Sequence, residues 1–168
     1  FLLREIAVVG GDGRVIASSN PRSVDADVSG YDFARSPRPA RLYVGVPKAG
    51  RSFVAGGAVA EGAEHAQSGF ITLSRAAARR TDGVLVVAVM GADSLTNDLR
   101  FMSSGNDDVF SLYRYDGRLL AASDPAAMRR KQPHPIFTDF LPERETGAFT
   151  DHAGDARKWL VHFDTTAD

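Results

Sequence analysis

One ten-residue stretch occurs twice in this chain. Asp12-Gly13-Arg14-Val15-Ile16-Ala17-Ser18-Ser19-Asn20-Pro21 returns as Asp116-Gly117-Arg118-Leu119-Leu120-Ala121-Ala122-Ser123-Asp124-Pro125, every position displaced by 104 (Asp12 to Asp116, Pro21 to Pro125). Six of the ten residues are identical, and the other four are exchanges within a physical type. Ahead of each copy, apolar residues alternate with less apolar ones: Ile6 and Val8 in the first, Phe110 and Leu112 in the second. Asp and Gly tolerate the backbone of a tight hairpin turn, and Pro cannot donate to a strand ladder. Each copy therefore reads as strand, turn, strand and exit. Two hairpins on one plan predict two related modules, each below about a hundred residues, within 168.

Composition narrows what such modules do. Hydrophobic residues make up 43% and fall in short runs, which predicts a packed core. The net charge is −1 with no extended run of one sign, so nucleic acid is not an expected partner. No apolar stretch approaches the ~20 residues of a membrane span, and Phe1-Leu2-Leu3 leads into a strand pattern rather than a signal peptide. With no cysteine, disulfides, thiolate metal sites and cysteine nucleophiles are excluded, and the redox compartment is left open.

Taken in order, 3–9 and 14–18 read as the first hairpin, 31–35 as either a short helix or loop, and 42–46 as a strand. Residues 52–69, rich in Gly and Ala, read as a long connection. A strand over 70–74, extending into the alanines, precedes an Asp82-Gly83 turn and 84–90, the most apolar run and so the expected centre of a sheet. The spacing of Leu95, Leu99 and Met102 predicts a helix over 93–102, with Asp93 as N-cap. The second module follows with strands 107–115 and 118–122, a basic helical turn at 126–131, a short helix at 135–141 presenting Ile136, Phe137 and Phe140, and strands 148–150 and 157–163, in which Trp159 reads as core. Nothing after Phe163 matches the run 84–90, so the second module is expected to be one strand short. The expected division is 1–92, a linking helix at 93–104, and 105–168. The fold class is α+β, with mainly antiparallel sheets and flanking helices.

The ordered set of Asp12–Ser19, Asp27-Val28-Ser29 with Asp32-Phe33, Leu42–Pro47, Thr72–Arg75, 84–90 and Tyr115–Ala121 resembles the double Cache family. These are tandem PAS-like extracytoplasmic sensors of bacterial membrane receptors, and the set spans nearly the whole chain. The resemblance implies a ligand pocket in the membrane-distal module (1–92), between one face of the sheet and a covering segment at 27–41. It also implies a periplasmic location, membrane anchorage through flanking segments outside this chain, and a cytoplasmic output such as a histidine kinase or diguanylate cyclase. A homodimer is a further expected partner, and no cofactor is expected. Two features depart from the family pattern: Gly30-Tyr31 stands where a basic residue usually precedes the Asp-aromatic pair, and 52–69 is longer than usual.

Within that frame the expected ligand-binding residues are Tyr31, Asp32 and Arg35 from the cover and Tyr43, Thr72, Ser74 and Arg75 from the strands. An arginine clamps a carboxylate through two parallel hydrogen bonds, and Asp32 suits an ammonium or hydroxyl. The competing reading is that Arg75 and Asp32 merely pair with each other or with backbone. Asp12-Gly13 and its copy are explained by turn formation alone. Gly10-Gly11-Asp12-Gly13 lacks the Lys-Ser/Thr of a phosphate loop. His65, His134, His152 and His162 show no metal-ligand spacing, and no Ser has a nucleophile-elbow context. A signal-input domain is thus expected rather than an enzyme, the alternative being a structural or dimerisation module whose pocket is vestigial.

Overall fold

The two Asp-Gly hairpins form, and they form alike. Strand β1 (Leu3–Val9) pairs antiparallel with β2 (Val15–Ser18), and β7 (Ser111–Tyr113) with β8 (Leu119–Ala122). The pairs Ala7–Ser18, Val8–Ala17 and Val9–Val15 recur, 104 positions on, as Ser111–Ala122, Leu112–Ala121 and Tyr113–Leu119, with the register slip at the same place. Gly13 and Gly117 adopt φ of +81° and +83°, a region nearly free of cost only for glycine. Arg14 N donates to Asp12 Oδ1 (3.0 Å) and Arg118 N to Asp116 Oδ1 (3.2 Å). At the open end, Ser19 N donates to Ile6 O while Ile6 N donates back to Ser19 Oγ; Ser123 and Phe110 repeat both bonds.

The computed structural model describes residues 2–35, 42–53, 69–77, 83–103, 108–124, 134, 136–141, 143, 145–151 and 159–164. The expected turns at 126–131 and 154–155, most of 52–69, and the side chain of Trp159 lie outside them. Among the described residues the main sheet runs β2-β1-β6-β5-β3, all antiparallel, where β3 is Tyr43–Val44, β5 is Gly69–Ala76 and β6 is Leu85–Gly91. A further short strand, β4 (Lys48–Ala49), also pairs with β5. The apolar run expected at the centre of a sheet does lie there, as β6 between β1 and β5. One face of this sheet is closed. Glu5, Ala7 and Val9, Phe70, Thr72 and Ser74, and Leu85, Val87 and Val89 are all buried, as the period-two alternation of strands requires. On the other face Ile6, Val86 and Arg75 are exposed.

The closed face is covered by the chain leaving β2. Asp25 N donates to Val15 O, Val15 N to Ala26 O and Val28 N to Gly13 O, fastening the segment to the sheet edge before it crosses. Asp25 takes φ +66° to make this turn. The carboxyl of Asp27 is held below its ordinary range by the hydroxyl and the backbone N–H of Ser29. Val28 and Phe33 then seal the core, and α1 (Asp32–Arg35) is a single turn on top.

Strand β6 runs directly into α2 (Ala92–Met102), capped by Gly91 without a side-chain bond. Asp93 is therefore not the N-cap expected from the sequence. It lies in the first turn, where its charge suits the helix dipole and pairs with Arg4, which also donates to Gly69 O (3.0 Å). Leu95 and Leu99 are partly buried, but Met102, expected beside them, is 60% exposed. Arg100 Nε donates to Ser123 O (3.3 Å), tying the helix to the end of β8.

The chain forms two compact units. One takes in Phe1–Arg114 and Leu119–Arg129; the other takes in Tyr115–Arg118 and Arg130–Asp168. Within the second, β9 (Thr146–Asp151) pairs antiparallel with β10 (Trp159–Asp164), and Ile136–Phe140 makes one wide helical turn closed by Leu141 N donating to Ile136 O. Phe140 stacks on Phe149 with ring centroids 4.2 Å apart, and Phe163 lies against both.

Candidate functional site

Asp32 is the polar centre of the covered face. Its position follows from local structure: Tyr31 N bonds to Val28 O and Ala34 N to Tyr31 O, which sends Phe33 into the core and Asp32 toward β3. Asp32 Oδ2 accepts from Val46 N (2.9 Å) and Tyr43 Oη (3.2 Å) and lies 3.5 Å from Arg114 Nη1. Arg114 also donates to Val44 O (2.8 Å) and Tyr43 Oη (3.1 Å), its guanidinium 5.4 Å from the Tyr43 ring centroid. The second oxygen, Asp32 Oδ1, is buried and has no partner among the described residues. Gly45 stands beside it for want of space: a Cβ there would strike Thr72 Oγ1 and come within 3.3 Å of Asp32 Oδ1. Asp32 and Thr72 thus both approach the Gly45 backbone, and the Thr72 hydroxyl fills the place a side chain would take.

Apolar walls complete the arrangement. Tyr31, Phe33, Phe53 and Phe70 form a ring-on-ring cluster with centroids 5.5–6.2 Å apart, Phe53 standing edge-on to both Tyr31 and Phe70. Burial pushes the Tyr31 phenol above its ordinary range, and the charge of Glu5 adds to the shift. Lys48 Nζ lies 6.0 Å from the Tyr31 ring centroid.

Five of the seven residues expected from the sequence therefore meet on one face: Tyr31, Asp32, Tyr43, Thr72 and Ser74. Two do not. Arg35 is exposed at the end of α1, and Arg75 is exposed on the opposite face, in register with Val86, because strand side chains alternate and Thr72 and Ser74 point the other way. Asp32 consequently pairs not with Arg75 but with Arg114. The sequence carried a signal for Arg114: it stands where the first copy of the repeat has Gly10, a substitution no turn requires. Glu5, 2% exposed, could have been noticed as a lone acid in phase with Ala7 and Val9. Among the described residues no three His, Cys, Asp or Glu side chains come together to hold a metal ion.

No family model matches the sequence, and no curated protein is significantly similar to it. Solved structures are. The extracellular domain designated that of histidine kinase rpHK1S-Z16 superposes with a TM-score of 0.66 at 18% identity, over 96% of this chain and 64% of that one. An extracellular ligand binding receptor from Desulfohalobium retbaense gives a TM-score of 0.54 at 14% identity, over 90% of this chain and 26% of that one. The chain shares its fold with extracellular receptor domains. It spans under two thirds of the first and about a quarter of the second. The α+β class with antiparallel sheets expected from the sequence is the class observed. Among the described residues no helix is long and apolar enough to cross a membrane.

Proposed function

We propose that this chain is the extracytoplasmic, signal-input domain of a transmembrane receptor of the double Cache type, non-enzymatic itself, binding a small molecule beneath the cover of its membrane-distal module. The observation that carries the reading is the half-satisfied Asp32: one oxygen is held by Tyr43, Val46 N–H and Arg114, while the other is buried and, among the described residues, unpartnered. A buried acceptor without a donor is costly, and a ligand N–H or O–H relieves that cost. The fold likeness to two extracellular domains supports the same reading, as does the equivalence of the two hairpins, which suits a duplicated module. Periplasmic location, flanking membrane segments and a histidine kinase or diguanylate cyclase output belong to this proposal.

The test is a thermal-shift screen of organic acids, amines and amino acids. A ligand that binds only the folded state raises Tm, and the shift should be lost in Asp32→Ala. A flat response across the whole set would sink the sensor reading. One observation favours the alternative, a structural or dimerisation module: the rings of Tyr31, Phe33, Phe53 and Phe70 already pack against one another beneath the cover. That reading predicts no ligand shift and a concentration-dependent dimer in sedimentation.

A further inference from the structure

We propose that Glu5 is the receptor for a protonated amine on a ligand bound beneath the cover. The inference rests on the reading that a small molecule binds beneath the cover, and it assigns the chemistry of that molecule. Glu5 is 2% exposed on the closed face of β1. It is in register with Val89 of β6, which is in register with Thr72 of β5. Glu5 and Thr72 therefore leave the same face, their backbones two strand spacings or about 10 Å apart. Ser18 Oγ donates to Glu5 Oε1 at 2.7 Å, whereas Oε2 is buried and accepts nothing from the described residues.

Three buried side-chain atoms lack partners among the described residues: Glu5 Oε2, Asp32 Oδ1 and Ser23 Oγ. Ser23 belongs to the turn after β2. The other two are carboxylate oxygens on the covered face, and both need a donor. Arg114 is engaged by Val44 O, Tyr43 Oη and Asp32 Oδ2 at the β3 edge, and β6 and β5 separate that edge from Glu5. The Tyr31 phenol feels the charge of Glu5, and its ring packs on Phe70. Aromatic faces attract a cation and disfavour an anion. The group that suits Glu5 Oε2 is thus one that brings N–H donors and positive charge together. A carboxylate there would meet a like charge. Donors at both ends of the ligand, toward Glu5 and toward Asp32 Oδ1, describe a diamine or an amino alcohol.

The experiment compares 1,4-diaminobutane, n-butylamine, n-butanol and n-butyrate on the 168-residue chain by thermal shift and calorimetry, alongside Glu5→Gln. The two amines should raise Tm by roughly 5 °C at about 100 times Kd, and the alcohol and the acid should not. Glu5→Gln keeps the bond from Ser18 but removes the charge, so amine affinity should fall about tenfold or more. Where near-UV circular dichroism shows that Glu5→Gln has not folded, Ser18→Ala takes its place. It leaves the carboxylate but unfastens it, and amine affinity should drop severalfold. A shift with butyrate or butanol but not with the amines overturns the assignment of Glu5 while leaving a ligand site in place. Undiminished amine affinity in the folded variant also overturns it. If neither these probes nor the wider screen produces a shift, the sensor reading falls with it.

Discussion

The guanidinium of Arg114 stands 3.5 Å from the carboxylate of Asp32, across 82 positions of sequence. The same Nη1 holds the Tyr43 hydroxyl and the Val44 carbonyl, so one side chain closes the β3 edge of the covered face. Arg114 is also the last residue before the turn Tyr115–Arg118, which belongs to the second compact unit. The pair is only partly buried, with side chains 18% and 23% exposed, so its contribution lies below that of a fully enclosed ion pair.

Replacing Arg114 by Met removes the donor shared by Asp32, Tyr43 and Val44. The expected loss is about 2 kcal/mol of unfolding free energy, read from urea denaturation with an unchanged m-value. In Arg114→Met/Asp32→Asn part of that loss should return, because no uncompensated carboxylate is left behind; strict additivity in the double-mutant cycle would refute the coupling.

Gly45 is predicted to be irreplaceable for reasons of space. Gly45→Ala should cost about 1–3 kcal/mol by overpacking against Thr72 Oγ1. Thr72→Ala, which deletes the obstructing oxygen, should recover much of the loss in the double variant. If both Thr72 backgrounds suffer equally, the backbone rather than the contact is responsible.

Tyr31 governs an alkaline limit. Its folded-state pKa lies above the ordinary value of 10.0, through burial first and Glu5 second. The folded chain therefore holds this proton more tightly than the unfolded chain does. The resulting stability is fully present below pH 10 and is lost as pH rises from there through the folded value. In an ultraviolet titration the phenol lost in Tyr31→Phe should be one that ionises above the ordinary value, and the substitution should abolish its share of alkaline destabilisation.

Arg35 and Arg75 serve as controls. Both are exposed and neither reaches the covered face, so substituting either by Ala should change stability by no more than about 0.5 kcal/mol. Any ligand-induced Tm shift should survive both changes; loss of the shift in Arg75→Ala would contradict the site described here.

Much of the fold is legible in the sequence because it is local. Asp-Gly at two places, flanked by alternating apolar residues, dictates hairpins, and the same ten-residue text produces the same register, the same slip and the same serine clasp 104 positions apart. The apolar run that becomes β6 announces its central place through composition, and the short α1 follows from the turn at Val28. Helix α2 was located but its cap was not. Asp93 is a good capping residue in isolation, yet β6 runs straight into the helix at Gly91, and Arg4 from β1 takes the carboxylate instead. The candidate site divides along the same line. Tyr31, Asp32, Tyr43, Thr72 and Ser74 belong together because strand alternation and one helical turn place them so, and the same alternation removes Arg75. Arg114 and Glu5 are different. A cation finds its anion through space, and whether a carboxylate in a strand is buried depends on what crosses above it. By itself, the sequence determined the hairpins and the strand period. Only the tertiary structure decided which charges meet there, because electrostatic pairing and burial are set by distances between segments that the order of residues does not encode.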